Sequence, residues 1–278
     1  MKSLGDEPKI LLDPNKLSDD GTVSLSHFEV SECGKYLAYG ISRGGSDWNE
    51  FFVKDIESGK DLSDHLEWIK FSGISWYKDG FFYSRYPQPE QNNVLKGVNE
   101  NNKIYYHKIG DPQSKDKLVY EDTKHPNWGF GAGLTEDEKY MAIGVTESTS
   151  GNALYIKDMS NDKLTVVVDN FESDYDLIDH VNGKLLVMTN NNAPKYKIIA
   201  IDPANTAREN WVDFIPESEG VLRGVSLVGG KIIASYMEDA HSKIRIFDLE
   251  GKYLYDLDNQ ELGTINGFSG KLADNETF

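Results

Sequence analysis

The chain has 278 residues, of which 38% are hydrophobic, 27% charged and 12% aromatic, and this composition is typical of a protein with a folded core. Its formal net charge of −17 opposes binding to nucleic acid or to an anionic membrane surface. The one cysteine, Cys33, excludes an internal disulfide and a metal site built from several cysteines. No run approaches the roughly 18 apolar residues of a transmembrane helix. We therefore expect neither a nucleic-acid partner nor a membrane partner.

A turn followed by a short apolar strand recurs along the chain. In the first copy, the turn at residues 31–35 leads into a strand, and a polar loop then leads into a second strand. Most of these strand pairs are preceded by another short strand and followed by a more exposed one. The predicted pairs lie at residues 36–39 and 51–55, 81–83 and 104–107, 140–143 and 154–158, 185–188 and 198–202, and 232–235 and 244–248.

Four strands per repeat, with roughly 40 to 60 residues between equivalent turns, are typical of β-propeller blades. The sequence therefore predicts an all-β fold, a β-propeller of the seven-bladed type with four-stranded antiparallel blades. Five complete blades are expected, with a lone strand at residues 9–13 before them and part of another blade at 267–278 after them. A propeller is a closed ring, and closure removes the exposed edges of its sheets. Because the segments at both ends look like incomplete blades, we interpret residues 1–278 as one partial propeller domain. The complete blades are expected to begin near residues 24, 65, 125, 171 and 220.

Several short strings follow one another in a characteristic order. Residues 18–25 read Ser-Asp-Asp-Gly-Thr-Val-Ser-Leu, and residues 45–48 read Gly-Ser-Asp-Trp. Together with the strings below, which extend from residue 10 to residue 278, they resemble the propeller domain of the prolyl oligopeptidase family. The further strings lie at residues 13–15, 36–42, 69–72, 82–88, 169–176 and 267–270.

The resemblance implies a cytoplasmic or periplasmic serine endopeptidase that cleaves short peptides after proline. In this family an α/β-hydrolase domain carries the Ser-Asp-His triad, and the propeller caps it as a size filter. We interpret this chain as lacking the nucleophile elbow and therefore the catalytic domain, so that no catalytic residue, cofactor or metal is expected in it. The expected partners are that hydrolase domain and short proline-containing peptides.

The resemblance also implies roles for residues near the first blade. Asp47 and Trp48 lie in a loop that faces the catalytic domain in the family, so Asp47 is expected to form an interdomain ion pair or hydrogen bond. The alternative is a solvated surface carboxylate. Phe71 matches an aromatic residue that reaches into the third substrate subsite, and the alternative is an ordinary aromatic of the blade core.

Three further substrate-binding positions depart from the better-known family pattern. Gly129 falls where a larger apolar residue is often found, and Thr146 and Thr149 fall where animal members have Arg and Cys. The resemblance then implies a roomier and less polar third subsite. Phe130 is expected to fill part of that space.

Two other functions stay open at this point. The chain could be a free-standing propeller that binds partners as an adaptor, or the propeller of a related serine peptidase such as oligopeptidase B or a dipeptidyl peptidase. An incomplete propeller exposes unpaired strand edges, and these are templates for pairing with another chain. We therefore expect either a dimer formed through such edges or disordered ends.

Overall fold

The computed structural model describes residues 7–90, 97–257, 263–265 and 267–274. These residues form twenty strands and three short 3-10 turns. The strands make five sheets, each with four strands in sequential order, and the paired strands run antiparallel. This arrangement confirms the predicted all-β propeller with five complete blades.

The first sheet contains β1 (Val23–Val30), β2 (Tyr36–Arg43), β3 (Asn49–Asp55) and β4 (Asp61–Ile69). The second contains β5 (Ser75–Tyr77), β6 (Gly80–Arg85), β7 (Lys103–Lys108) and β8 (Lys117–Glu121). The third contains β9 (Gly129–Leu134), β10 (Tyr140–Thr146), β11 (Ala153–Asp158) and β12 (Leu164–Val168). The fourth contains β13 (Tyr175–Val181), β14 (Lys184–Thr189), β15 (Lys197–Ile201) and β16 (Val212–Ile215). The fifth contains β17 (Val221–Val228), β18 (Lys231–Glu238), β19 (His241–Phe247) and β20 (Tyr253–Asp256).

The start of the second blade differs from the prediction. The sequence placed it near residue 65, but His65 lies in β4 and pairs with Phe52 of the first sheet. Burial alternates along β4, with Asp64 and Leu66 inside and their neighbours outside, as expected for a strand covered on one face. The second sheet begins only at Ser75, because the fourth strand of the first sheet occupies residues 61–69.

The two terminal segments also differ from the prediction. Residues 9–13 and 267–274 contain no strand, and residues 275–278 lie outside the described part of the chain. Leu11 and Leu12 instead pack against the apolar cluster of the first sheet. Ile265 and Phe268 pack in the same way on the fifth sheet. These segments therefore cover apolar surface without pairing their backbones in a sheet.

Apolar residues on facing sheets form continuous cores. One cluster joins the first and second sheets through residues such as Phe51, Leu66 and Phe81, all at most 1% exposed. Similar clusters join the third sheet to the fourth and the fourth to the fifth. Inner strands such as β14 are buried along most of their length because neighbouring sheets cover both faces. This packing of consecutive sheets explains the near-continuous apolar runs in the sequence.

A buried ionic cluster also joins the first two sheets. The His107 ring lies between two carboxylates, with Nε2 2.9 Å from Asp64 Oδ1 and Nδ1 2.7 Å from Asp116 Oδ1, and all three side chains are at most 1% exposed. Tyr83 donates its hydroxyl to Asp116 at 2.6 Å, and the Gly110 amide donates to Asp64 at 2.6 Å. Burial opposes a charge on His107, but its hydrogen bonds to Asp116 and Asp64 outweigh that effect and raise its pKa to about 9.

The order of the strands defines two ends in every sheet. Because neighbouring strands are antiparallel, the turns between first and second strands and between third and fourth strands lie at one end. The loop between the second and third strands, and the connection to the next sheet, lie at the other. We call this second end the loop end of a sheet.

The chain divides into two compact units, Met1–Gly133 and Leu134–Phe278, and the division falls within β9. No described helix is long and apolar enough to cross a membrane. The described residues also contain no group of three His, Cys, Asp or Glu side chains arranged to hold a metal ion.

Candidate functional site

All six predicted site residues lie at or beside the loop end of their own sheet. Asp47 and Trp48 belong to the loop between β2 and β3, and Phe71 lies in the connection from β4 to β5. These three residues lie in the first unit. The sequence order of antiparallel strands is therefore sufficient to bring the predicted residues of the first sheet to one end. The remaining three are Gly129, the first residue of β9, Thr146, the last residue of β10, and Thr149, in the loop after it.

Hydrogen bonds within the β2–β3 loop fix the positions of Asp47 and Trp48. The Ser42 hydroxyl donates to the Ser46 carbonyl, and the Ser46 hydroxyl accepts a bond from the Trp48 amide at 3.1 Å. The Asn49 side chain donates to the Asp47 carbonyl at 2.9 Å. The Asp47 side chain is exposed, and no described cation forms an ion pair with it. It is therefore accessible to a partner, while its interdomain role stays a prediction.

The Trp48 ring is the centre of an aromatic cluster at this loop end. Its ring meets those of Trp68 and Tyr86 edge to face, with centroid distances of 5.8 Å and 6.1 Å. The Lys70 ammonium lies 4.3 Å from the centre of the Trp48 ring, which is within the range of a cation–π interaction. The loop that carries Asp47 is thus attached to the segment that carries Phe71.

Phe71 is presented to solvent by this segment. Its side chain is 78% exposed, which excludes the alternative that it is an aromatic of the blade core. Phe71 and Trp68 have positive φ angles of 54° and 63°, a conformation that large side chains rarely adopt. An exposed apolar ring at the loop end is suited to contact an apolar ligand or another domain.

Gly129 and Phe130 have different surroundings from those that the sequence predicted. Gly129 is partly exposed at the start of β9. The Phe130 amide donates to the buried Asn102 side chain at 2.9 Å, and its ring packs edge to face on Tyr120 at 5.0 Å. Phe130 is only 4% exposed. The expectation that it fills an open subsite is therefore wrong, because its ring is part of the core beside Tyr120.

Thr146 and Thr149 are both exposed at the loop end of the third sheet. The loop after β10 is held by the Gly151 amide, which donates to Asp174 at 2.9 Å, and by the Asn152 amide, which donates to the Ser173 carbonyl at 3.0 Å. Both threonine hydroxyls are thus accessible on a loop with a fixed base. Their contact with substrate stays a prediction.

One string fits the Gly-x-Ser-x-Gly pattern, and the interpretation of the sequence missed it. It runs from Gly40 to Gly44, with Ser42 at the position of the nucleophile. Ser42 lies inside β2 and pairs with Asn49 of β3, whereas a nucleophile elbow requires a sharp turn from a strand into a helix. Its hydroxyl is also committed to the Ser46 carbonyl. The string is therefore part of a strand and not a nucleophile elbow.

The histidine contacts give no Ser-His pair either. Four of the six rings contact carboxylates, and the His241 ring lies 3.4 Å from the Asp239 carbonyl oxygen. A triad needs the imidazole to accept the proton of a serine hydroxyl. In a triad a carboxylate binds one imidazole nitrogen and the serine hydroxyl binds the other, and the contacts of these five rings in the described part of the chain are with carboxylates and a backbone carbonyl, not with a serine hydroxyl. The contacts with carboxylates are His65–Glu50, His107–Asp64, His107–Asp116, His125–Asp122 and His180–Asp137.

Comparison with known families is decisive. Residues 2–278 match the family model described as the prolyl oligopeptidase N-terminal beta-propeller domain. The chain belongs to this family. This match confirms the resemblance to the prolyl oligopeptidase propeller, and it extends over almost the whole length of the chain.

Curated relatives of this propeller are considerably longer than the chain. The prolyl endopeptidase of Elizabethkingia miricola is 38% identical over 279 residues, which cover 100% of the chain and 39% of that relative. Prolyl oligopeptidase A of Amanita bisporigera is 38% identical over 281 residues, which cover 91% of the chain and 37% of that relative. The chain thus spans about two fifths of the length of these relatives.

Solved structures agree with the assignment of this propeller. A structure from a mechanistic analysis of two prolyl endopeptidases has a TM-score of 0.88 and 31% identity, and the match covers 99% of the chain and 39% of that structure. The apo protein of prolyl oligopeptidase B from Galerina marginata has a TM-score of 0.80 and 31% identity, with coverages of 90% and 37%. The chain therefore shares its fold with these structures.

Sequence reasoning missed the residues that surround Phe71 in this propeller. Trp68, Lys70 and Tyr86 together fix the Trp48 ring and the segment before Phe71. Trp68 and Lys70 stand next to Phe71 in the sequence, and their proximity was the available signal. What the sequence does not show is the pair of left-handed backbone conformations that turns the Phe71 ring outward.

Proposed function

We propose that this chain is the non-catalytic propeller of a prolyl oligopeptidase-type serine endopeptidase. In this function it limits access of peptides to a catalytic α/β-hydrolase domain of the same parent protein. The observation that carries the proposal is the match of residues 2–278 to the propeller domain of that family. The relatives named prolyl endopeptidase support proline-containing peptides as the substrate class. A cytoplasmic location is part of the same proposal.

A propeller can contribute to such an enzyme without supplying a reacting group. Enclosing the catalytic site excludes water and bulky chains, and movement of a covering domain then controls entry. Small peptides pass such a barrier, while folded proteins are excluded by their size. This division of labour agrees with the absence of a nucleophile elbow at Ser42.

The loop end of the first sheet is suited to face both the hydrolase domain and the peptide. Asp47 offers an exposed carboxylate for an interdomain ion pair, and Trp48 supports the loop through its aromatic contacts. Phe71 offers an apolar ring for the third substrate subsite. On the family resemblance, Gly129, Thr146 and Thr149 are proposed as further substrate-binding residues, each with a small or weakly polar side chain.

A chimera provides the test of this function. The chain replaces the matching 279 residues of the Elizabethkingia miricola enzyme, which leaves the rest of that relative in place. We expect the chimera to cleave a short fluorogenic peptide after proline and to leave a folded proline-containing protein intact. The 278-residue chain by itself is expected to cleave neither substrate.

Two controls separate the possible explanations. The relative with the matching 279 residues deleted is expected to lose discrimination between the short peptide and the folded protein. The unmodified relative supplies the reference rate. Cleavage by the 278-residue chain alone, or equal discrimination with and without the propeller, would contradict the proposed function.

A further inference from the structure

The segment of residues 68–72, which we call the Phe71 arm, connects the first sheet to the second. It holds two large residues, Trp68 and Phe71, in left-handed backbone conformations with φ angles of 63° and 54°. Such conformations cost free energy in residues with a large side chain and persist only where the surroundings enforce them. The contacts of the arm should therefore explain why the Phe71 ring remains 78% exposed.

The first group of contacts comes from the edge of β6. The opposing strand β5 has only three residues, whereas β6 has six, so the last amides of β6 have no opposing strand. The arm replaces that strand. The Ser84 amide of β6 donates to the Ser72 hydroxyl oxygen at 2.8 Å, and the amide of Tyr86, the first residue after β6, donates to the Trp68 carbonyl at 3.0 Å.

The Ser72 hydroxyl is fixed both as an acceptor and as a donor of a hydrogen bond. It accepts the bond from Ser84 and donates its own proton to the Gly73 carbonyl at 2.8 Å. Ser84 is 2% exposed, so water cannot readily replace a lost acceptor for its amide. Ser72 therefore attaches the residue next to Phe71 to a buried strand.

The second group of contacts comes from the β2–β3 loop. The Trp48 ring packs edge to face on Trp68, and the Lys70 ammonium lies 4.3 Å from the centre of the Trp48 ring. These contacts hold the beginning and the middle of the arm, while Ser72 holds its end. Phe71 lies between the two anchored parts.

We propose that Ser72 is a positioning residue for Phe71 and sets the preference of the enzyme for a large apolar residue two positions before the scissile proline. This inference rests on the proposed function and deepens it. A ring on a rigid segment loses less conformational freedom on binding than a ring on a mobile loop. Removing the Ser72 hydroxyl releases the arm, and the Phe71 ring then loses its fixed orientation.

The test compares two peptides in the chimera described above, one with Phe-Gly-Pro and one with Gly-Gly-Pro before the cleaved bond. Ser72→Ala is expected to lower kcat/KM about 5- to 10-fold for the Phe-Gly-Pro peptide, because misplacing a binding group weakens the contact that it makes. The Gly-Gly-Pro peptide lacks the side chain concerned and is expected to change less than about twofold. Ser72→Thr keeps the hydroxyl and is expected to restore the preference.

A double substitution shows whether Ser72 acts through Phe71. Phe71→Ala alone is expected to remove the preference, and adding Ser72→Ala to it should then have no further effect. Ser58→Ala is a matched control, because Ser58 also bonds within a turn but lies in the connection from β3 to β4, at the opposite end of the first sheet. It is expected to leave both peptides unchanged.

The outcomes distinguish the two proposals. If Phe71→Ala changes neither peptide, the subsite role in the proposed function is wrong. If Phe71→Ala acts selectively but Ser72→Ala does not, only the positioning role is wrong. If Ser72→Ala affects both peptides equally, or still acts when Phe71 is absent, its effect is general and the positioning role is overturned. In the 278-residue chain itself, Ser72→Ala is expected to speed amide hydrogen exchange at Ser84 at least about tenfold, and unchanged exchange would contradict the inference.

Discussion

Replacing His107 with glutamine should destabilise the protein, and the cost should depend on pH. His107 lies between Asp64 and Asp116, and the folded state raises its pKa from 6.5 to about 9. A difference of about 2.5 pKa units corresponds to roughly 3 kcal/mol of folding free energy at 1.36 kcal/mol per unit. Allowing for solvent screening, we expect this group to contribute about 2 to 3 kcal/mol.

The sign of the pH dependence follows from the raised pKa. The contribution of His107 is complete below pH 6.5, where the ring is protonated in both the folded and the unfolded state. It declines as the pH rises from 6.5 and is lost above pH 9. Tyr83 does not titrate in this interval, because burial and the Asp116 carboxylate raise its pKa further above the ordinary value of 10.

Urea unfolding followed by tryptophan fluorescence measures the effect. At pH 6, His107→Gln should lower the free energy of unfolding by about 3 kcal/mol, because it leaves two buried carboxylates without a cation. The difference between wild type and variant should shrink by about 2 to 3 kcal/mol between pH 6 and pH 9.5. His65→Gln is the control, since its exposed ring bonds to one carboxylate, Glu50, and stacks on Phe52, so that its replacement should cost less than about 1 kcal/mol. A difference between wild type and His107→Gln that stays constant over this range would refute the reasoning.

Two more predictions concern close packing and association. Gly80→Ala should lower the free energy of unfolding by more than about 2 kcal/mol, because a Cβ at this position would lie 1.9 Å from the His107 carbonyl oxygen. Gly144→Ala is the matched control in urea unfolding, since a Cβ there has no neighbour within 4 Å, and equal losses would contradict the argument. Light scattering of the chain should give a mass above 31.3 kDa that rises with concentration, because Phe28 and Val30 of β1 are 60% and 48% exposed. Phe28→Ser should shift the mass towards that of the monomer, and a monomeric wild type with ordered ends would contradict the edge-pairing prediction.

The repeated strands could be predicted from the sequence because their signal is local. Short apolar runs bounded by turn residues gave the second and third strands of all five sheets. The outer strand β4 was assigned to the wrong sheet, because the polar residues Asp64 and His65 interrupt its apolar pattern. Asp64 is polar for a structural reason, since it is a partner of a buried histidine 43 residues away.

The candidate site was predictable only in part. The family resemblance identified Phe71, Asp47 and Trp48, and the strand order explains why they share one end of the first sheet. The outward orientation of Phe71 depends on its positive φ and on a bond between Ser72 and Ser84. Such tertiary contacts override local preference and leave no periodic pattern in the sequence. The same reason explains why Phe130 was assigned to an open space that its burial excludes.

The short strand β5 has a mechanical consequence for the seam between the first two blades. Polar contacts join the two sheets at both ends of this seam: His107 and its carboxylates lie at one end, and the bonds of Ser72 to Ser84 and of Trp68 to Tyr86 lie at the other. Separating these two blades would leave buried charges and buried amides without their partners at the same time. Because both groups of contacts must break together, we expect the first two blades to separate less readily than apolar packing alone would allow.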